Sequence, residues 1–191
     1  MKKVEINKSQ LLLNDFFKIE EAFLKFEKYN GEMSNEVRRL NLDRGDSVTA
    51  ILWHKDRQKM IFTEQFRYPT HQNGDGWMLE LLAGGVAKGE NPEEALIREI
   101  EEEVGYKVNI VKYLCNFYAS PGGTSERVFL YYAEVDDSML VGEGGGLDHE
   151  DEDIKVIEYS LEECWELFMS GKVNDAKTII GLLMFKRELA N

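Results

Sequence analysis

The sequence predicts an α/β fold, because strand-like and helix-like segments follow one another along a single chain. Strands are predicted at 47–53 and 60–66, on either side of a charged turn. Helical periodicity spans Pro92 to Val104, and two further amphipathic helices are predicted at 161–169 and 176–189. The chain has 191 residues and a hydrophobic content of 43%. That is enough to bury one good core but not two full domains.

The first part of the chain, residues 1–45, is predicted to be an amino-terminal β subdomain of short antiparallel strands. Apolar residues alternate around Phe17 and Ile19, and the Tyr-Asn-Gly sequence at 29–31 is typical of a hairpin turn. Residues 46–191 are predicted to form the main domain.

The middle of the chain combines an apolar strand with glycines. The strand predicted at 77–82 runs into Ala83, Gly84 and Gly85, where glycine lets backbone carbonyls approach a ligand closely. A strand-rich stretch follows at 108–135. These segments lead into a loop rich in glycine and acid at 142–153.

The helix predicted at Pro92–Val104 has clear start and stop signals. Asn91 is a suitable cap, Pro92 suits the first helical position, and Gly105 supplies the left-handed residue that commonly ends a helix. Apolar residues recur every four positions at Leu96, Ile100 and Val104, so this stripe is predicted to face the core.

An acidic cluster lies on an adjoining face of that helix. Glu99, Glu102 and Glu103 are three or four positions apart, so their carboxylates crowd and repel one another unless a cation joins them. A solvated acidic face is the alternative interpretation of such a charge run. The preceding glycines favour a metal site, because Mg²⁺ takes carboxylate and carbonyl oxygens together and leaves positions for phosphate.

The stretch from Gly84 to Tyr106 resembles the motif of the Nudix hydrolases, with Tyr106 where an aliphatic residue is usual. The resemblance implies an α/β/α sandwich around a mixed sheet, with 46–191 as the catalytic domain. It also implies hydrolysis of a nucleoside diphosphate linked to another group, with Mg²⁺ as cofactor and Mn²⁺ as its alternative.

The same resemblance assigns roles within the motif. The Ala83 carbonyl, Glu99 and Glu103 would bind the metal, and Glu102 would assist catalysis. Arg98 would pair with nearby acids such as Glu90 or Glu102 and hold the loop on the helix. The structural positions of the motif are Gly84, Glu90, Arg98 and Gly105.

The subfamily is suggested by residues outside the motif. Pro121 follows Gly105 by sixteen positions, which resembles the ADP-ribose pyrophosphatases, although a Pro-Gly turn between strands is common. Residues 31–45 and the acidic loop are similar to bacterial members of that group. Residues 175–178 resemble the GDP-mannose pyrophosphatases instead.

ADP-ribose, cleaved to AMP and ribose 5-phosphate, is therefore the favoured substrate, and GDP-mannose or another nucleoside diphosphate sugar is the alternative. An enzyme that cleans damaged nucleoside triphosphates is disfavoured by Pro121 and by the amino-terminal strands. A Nudix domain that only binds its ligand is disfavoured because every acid of the motif is present.

Substrate contacts are implied at several positions by resemblance. Three arginines, Arg39, Arg44 and Arg67, would contact the diphosphate or the sugars. Phe16 or Phe17 would stack on the nucleobase. Each position also has a structural alternative, as a surface ion pair, a core aromatic or a solvated lysine. A glutamate is common in relatives where this chain has Leu40. The predicted substrate-binding residues are Phe16, Phe17, Arg39, Arg44, Arg67, Gly85, Ser120, Pro121, Gly122, Glu126 and Lys177.

The acidic loop supplies the remaining catalytic groups by resemblance. Glu150 would be the general base that activates water, and Glu152 a further metal ligand. A solvated, flexible acidic loop is the alternative. The three glycines at 144–146 are predicted to act as a hinge when the loop moves onto substrate.

Charge and composition limit the classes of partner and the cellular location that can be expected. The formal net charge of −13 argues against nucleic acid as a partner. No apolar run is long enough to span a membrane, and the amino terminus does not resemble a signal peptide. A cytoplasmic protein is therefore expected. Cys115 and Cys164 lack metal-ligand spacing and are predicted to be buried free thiols. The resemblance implies a homodimer with exchanged amino-terminal strands.

Overall fold

A computed structural model describes residues 2–147, 149 and 151–189 of the chain. Its strands are β1 Val4–Asn14, β2 Lys18–Phe26, β3 Val37–Asp43, β4 Asp46–His54, β5 Lys59–Phe66, β6 Trp77–Glu80, β7 Ala83–Val86, β8 Lys112–Tyr118, β9 Arg127–Val135 and β10 Lys155–Ser160. Its helices are α1 Pro92–Val104, α2 Leu161–Met169 and α3 Ala176–Leu189, with short 3-10 helices at Tyr68–Gln72 and Asp137–Met139. Within the described part, none of these helices is both long and apolar enough to cross a membrane.

The chain divides into two compact units. The first holds the residues up to Gly45 together with Tyr118–Arg127. The second holds Asp46–Phe117 and everything from Val128 onward.

The first unit is built on a three-stranded antiparallel sheet in the order β1-β2-β3. Strand β1 is exposed along its whole length. Residues 118–127 join this unit through backbone hydrogen bonds: the Leu42 N–H donates to the Gly123 carbonyl (2.9 Å), and the Ser125 N–H donates to the Leu42 carbonyl (3.3 Å). The turn that contains Pro121 is therefore attached to β3.

The second unit contains a mixed seven-stranded sheet in the order β10-β5-β4-β9-β8, with β6 paired to β5 and β7 paired to β4. Strand β4 runs parallel to β9 and antiparallel to β5 and β7. The predicted α/β class, with a mixed sheet, helices and an amino-terminal antiparallel sheet, is confirmed.

Alternation along β4 creates two apolar cores. Val48 and Leu52 pack in one cluster with residues of α1 such as Ile100. The intervening Ile51 points to the opposite face, where it packs with Leu182 of α3. Because successive side chains of a strand point to opposite faces, this strand separates a layer containing α1 from a layer containing α2 and α3.

The strand predicted at 77–82 is β6 in the structure, which ends at Glu80, and a separate strand, β7, begins at Ala83. Strand β6 pairs with β5, whereas β7 pairs with β4, so the chain crosses from one partner to the next at Leu81 and Leu82. Both leucines are fully buried, and the Thr49 hydroxyl donates to the Leu82 carbonyl at 2.8 Å. Gly84 and Gly85 therefore lie within strand β7.

Candidate active site

Helix α1 brings its acidic face against strand β7. An ideal Cβ built on Gly84 would lie 1.9 Å from the Cδ atom of Glu99. No side chain fits in that space, so glycine is required for the carboxylate of Glu99 to reach the strand. The helix itself is fixed at both ends. The Glu93 N–H donates to the Asn91 side chain at 3.0 Å, and Gly105 is left-handed with φ 76°.

Glu103 is the most deeply buried acid of the cluster, with 2% of its surface exposed. Its pKa is raised to about 8, first by burial and then by the negative charges of Glu99 and Glu152, against the opposing effects of Arg67 and of a hydrogen bond from the Ala83 backbone. Its Oε2 atom is buried and has no hydrogen-bond partner within the described part of the chain. An ionised carboxylate here is strongly destabilised without a cation.

Glu99 shares this environment. Burial raises the pKa of its carboxyl group, as do the charges of Glu102 and Glu152, while Arg98 lowers it. The acids of α1 and Glu152 of the following loop therefore interact electrostatically at one site.

Arg98 ties three acids of the motif together. Its Nη1 atom donates to Glu99 Oε1 and to Glu102 Oε2, both at 2.8 Å. Its Nε atom lies 3.6 Å from Glu90 Oε1, and Glu90 in turn accepts a hydrogen bond from the Ala87 N–H at 2.7 Å. Contacts to Glu90 and Glu102 were anticipated from the sequence, whereas the contact to Glu99 was not.

The glycines before the acidic loop pack on the end of α1. The Gly145 N–H donates to the Glu103 carbonyl (2.9 Å), and the Gly146 N–H donates to the Glu102 carbonyl (3.2 Å). A Cβ on Gly144 would lie 2.5 Å from the Glu103 carbonyl oxygen. In this arrangement the triglycine segment satisfies carbonyls that a helix end leaves unpaired. Its predicted role as a hinge stays a prediction.

The two ends of the acidic loop are joined by one backbone hydrogen bond. The Ile154 N–H donates to the Gly145 carbonyl at 3.1 Å, which closes the base of the loop. Within it, the Leu147 N–H donates to Glu152 Oε2 at 3.0 Å. Glu150, the predicted general base, lies outside the described residues.

A divalent cation fits the donors at this site. No group of three or more His, Cys, Asp or Glu side chains in the described ranges forms a metal cage by itself. Mg²⁺ does not require one, because it binds through one or two carboxylates and keeps several waters. The unpartnered Oε2 atom of Glu103 and the raised pKa of this carboxyl group are the features that a bound cation would resolve.

A second set of charges lies at the end of β6. The Arg67 Nε atom donates to Glu80 Oε2 at 2.8 Å, and the Lys177 Nζ atom donates to Glu80 Oε1 at 3.1 Å and to Asp175 Oδ1 at 2.9 Å. Lys177 is thus mostly buried and is not a solvated lysine. The sequence pattern did not single out Glu80, although an acid inside the apolar stretch at 77–82 was a signal.

Other predicted substrate residues lie in the first unit. Arg44 Nε is 3.7 Å from Glu126 Oε1, and the Arg39 Nη1 atom donates to the Arg38 carbonyl at 2.9 Å. Phe16 and Phe17 contact each other edge to face, with ring centroids 4.9 Å apart.

The Pro121 turn is held by Ser120, whose carbonyl accepts hydrogen bonds from the N–H groups of Gly123 and Thr124, both at 3.0 Å. Pro121 and Gly122 are exposed. In the second unit, Gly85 is exposed on β7, opposite Ser47 of β4.

This mixed sheet between helical layers, with an acidic helix against a glycine strand, belongs to a known class. A family model for the NUDIX domain matches residues 43–179, and the chain belongs to the Nudix family. Members of this family generally use a divalent metal ion.

Two groups of curated relatives cover most of the chain. The GDP-mannose pyrophosphatase of Pectobacterium atrosepticum is 36% identical over 179 residues, which cover 93% of this chain and 91% of that protein. The ADP-ribose pyrophosphatase of Escherichia coli K12 is 35% identical over 180 residues, which cover 94% and 86%. The predicted enzyme class, a Nudix hydrolase, is confirmed by the family and by these relatives.

Among solved structures, one described as an ADP compounds hydrolase superposes with a TM-score of 0.75. The superposition covers 98% of this chain and 95% of that chain, at 21% sequence identity. This likeness supports the fold alone.

Proposed function

We propose that the chain is a Mg²⁺-dependent pyrophosphatase of nucleoside diphosphate sugars that hydrolyses ADP-ribose to AMP and ribose 5-phosphate. The observation that carries the proposal is Glu103, a buried carboxylate with one unpartnered oxygen, beside Glu99 and within electrostatic reach of Glu152. Such a site is poorly suited to three negative charges alone and well suited to a divalent cation with a phosphate ligand. The names of the relatives support a nucleotide sugar as substrate.

The metal ligands in this proposal are the Ala83 carbonyl, Glu99 and Glu103, with Glu152 as a further ligand. When bound, Mg²⁺, or Mn²⁺ in its place, would stabilise negative charge on phosphate oxygens and lower the pKa of a bound water. Gly84 leaves the space that Glu99 needs, and Arg98 holds Glu99 and Glu102 in a fixed relation. The chain thereby keeps its acids ordered before substrate arrives.

Glu150 is proposed to accept a proton from the water that attacks one phosphorus of the diphosphate, with Glu102 assisting. The bond between that phosphorus and the bridging oxygen breaks, and the bridging oxygen leaves on the second phosphate. Each product therefore retains one phosphate. A carboxylate is a suitable base because a water close to a divalent cation is already acidified.

Arg67 and Lys177 are proposed to bind the diphosphate, since both cations are held on Glu80 and the charge of Arg67 also acts on Glu103. Arg39, Arg44, Glu126 and the turn at 120–122 are proposed to contact the sugars, with Gly85 lining the substrate and Phe16 or Phe17 stacking on the base. Arginine suits phosphate because its planar group donates paired hydrogen bonds.

GDP-mannose is the second candidate substrate. Lys177 lies in the segment that resembles GDP-mannose pyrophosphatases, and it is buried against Glu80 instead of pointing into solvent. The two groups of relatives are equally similar to this chain, at 36% and 35% identity, so identity alone does not separate the substrates.

A hydrolysis panel tests the proposal. ADP-ribose, GDP-mannose, UDP-glucose, a dinucleotide and a nucleoside triphosphate are incubated with the enzyme in Mg²⁺, in Mn²⁺ and in EDTA. We expect ADP-ribose to give the highest kcat/KM and EDTA to abolish turnover. Faster hydrolysis of GDP-mannose selects the second candidate, whereas failure to cleave any nucleotide sugar refutes the proposed function.

We further propose a cytoplasmic homodimer that exchanges its amino-terminal strands. Strand β1 supports the dimer, because its apolar side chains are exposed, with Ile6 at 64% and Leu11 at 56%. Cys115 and Cys164 support the compartment, because both are free thiols. Cell fractionation that recovers the protein outside the cytoplasm would contradict the location.

A further inference from the structure

Glu80 occupies an unusual position for an acid. It ends strand β6 with a side chain that is only 7% exposed, and each of its two carboxylate oxygens binds a different cation. One oxygen accepts from Arg67 Nε and the other from Lys177 Nζ. Two side chains from distant parts of the sequence are therefore held at a single carboxylate.

Both cations keep hydrogen-bond donors to spare. Glu80 engages only the Nε edge of Arg67, and the two terminal nitrogens of that guanidinium donate to no described residue. Lys177 has three N–H donors, of which two are used by Glu80 and Asp175. The free donors are what a phosphate oxygen requires.

The start of α3 is fixed by the same network. The Leu81 N–H donates to the Thr178 hydroxyl (2.8 Å), which itself donates to Asp175 Oδ2 (2.7 Å). Burial lowers the pKa of the Lys177 ammonium group, but the negative charges of Glu80 and Asp175 have the larger effect, and the pKa is raised. Lys177 therefore stays charged and has little freedom to move.

The network also adjoins the acid cluster. Arg67 is among the charges that act on Glu103, where it opposes the rise in pKa. Arg67 thus interacts electrostatically with Glu103, one of the acids proposed to hold the metal.

We propose that Glu80 is a positioning residue that holds Arg67 and Lys177 together so that both donate to the diphosphate group of the substrate. This inference rests on the proposed function and adds a residue for which that function gave no role. The competing explanation is that the network is only a balanced, buried set of ion pairs that fastens β6 to α3.

Binding of a diphosphate that cannot be hydrolysed separates the two explanations. The probe is α,β-methylene-ADP, measured by calorimetry in Mg²⁺ with thermal unfolding in parallel. We expect Glu80→Gln to weaken probe binding by about tenfold or more, since charge-assisted contacts of both cations are disturbed. The matched control is Asp136→Asn, which removes a carboxylate paired with Lys55 at 2.7 Å elsewhere in the second unit and should leave probe binding unchanged.

A coupling measurement adds a readout that a purely structural role would not change. In a Lys177→Met background, Glu80→Gln should cost less affinity than in the parent protein, because one of the two cations is already absent. Additive losses would overturn the proposal, as would a Glu80→Gln variant that melts lower but binds the probe within twofold of the parent. If Glu80→Gln does not fold, Glu80→Asp carries the test, because it keeps the charge but is too short to reach both cations. Binding of the probe to Glu80→Asp as tight as to the parent would then refute the role.

The outcomes also distinguish this inference from the proposed function. If the parent protein cleaves nucleotide sugars and Glu80→Gln binds the probe normally, the proposed function stands and the inference is refuted. If the parent protein binds the probe, Glu80→Gln weakens that binding, and no nucleotide sugar is cleaved, the inference stands and the proposed function is refuted. A parent that does not bind the probe refutes the inference.

Discussion

Glu103 combines two properties that rarely occur together in a carboxylate. It is almost fully buried, and one of its oxygens has no donor within the described part of the chain. Such a group does not stabilise the fold, because burying an unpaired polar atom destabilises the native state. Residues that weaken the fold in this way are characteristic of functional sites.

Glu103→Gln should lower kcat/KM by about 10²-fold or more, because metal stabilisation of phosphate charge contributes several kcal/mol to the transition state. Hydrolysis is measured at saturating Mg²⁺. The matched control is Glu101→Gln on the same helix, an exposed acid that should retain parental activity. Activity of Glu103→Gln within a few-fold of the parent would exclude it as a metal ligand.

The raised pKa of Glu103 predicts a pH-dependent stability for the metal-free protein. The pKa is about 8 in the folded protein against an ordinary value of 4.5, so between these values the folded state holds a proton that the unfolded chain has released. The free energy of unfolding therefore falls as pH rises from 4.5 to 8. In EDTA, Glu103→Gln should raise the melting temperature at pH 9 by at least about 2 °C more than at pH 5. An equal effect at both pH values would contradict the shift.

The helix periodicity alone placed Glu99, Glu102 and Glu103 on one face, since residues three and four apart are neighbours on any helix. Glu80 could not be found in this way. Its partners, Arg67 and Lys177, are brought to it by sheet pairing and by the packing of α3. Contacts between distant segments follow from tertiary structure and have no local spacing rule.

At the scale of elements, the close approach of α1 to β7 depends on one missing side chain. Gly84→Ala should lower kcat/KM by about tenfold or more, because the new methyl group displaces the flexible end of Glu99 and with it a metal ligand. The melting temperature should change little, since that end of the side chain can move. The matched control is Gly74→Ala, where the nearest atom to an added Cβ is 3.9 Å away. Equal activity of both variants would show that the position of Glu99 is unimportant.

The acidic loop is predicted to carry two different functions. Glu150→Gln should lower kcat by roughly 10² to 10⁴ with little change in KM, as expected for loss of a general base. Glu152→Gln should instead raise the Mg²⁺ concentration needed for half-maximal activity. Steady-state kinetics over a range of Mg²⁺ concentrations separates the two effects, and reversed results would exchange the two roles.

Helices were easier to predict than strands for a physical reason. The bounds of α1, α2 and α3 follow from local signals, such as Asn91 before α1 and the reciprocal hydrogen bonds of Ser160 and Glu163 at the start of α2. The break between β6 and β7 depends on which neighbouring strand each one pairs with. The pairing depends on the whole sheet, so residues 81–82 carry no local sequence signal for the break.

For the whole molecule, the exposed β1 strand predicts the oligomeric state. The double variant Leu11→Lys and Leu13→Lys should convert the proposed homodimer into a monomer, because it introduces charges into an apolar surface of the first unit. Light scattering at micromolar concentration measures the change. Ile110→Lys is the matched control, since Ile110 is 84% exposed in the second unit and its replacement should leave the dimer intact. A monomeric parent protein would refute the exchanged-strand arrangement.

The hydrogen bond between Ile154 and Gly145 has a consequence for how this enzyme can diversify. The loop that it closes begins and ends at one point, beside the carbonyls at the end of α1. Its length can therefore change by insertion or deletion without moving any strand of the sheet, because loop closure depends only weakly on chain length. The groups proposed to be catalytic can therefore be exchanged within this loop while α1, the helix proposed to bind the metal, stays unaltered.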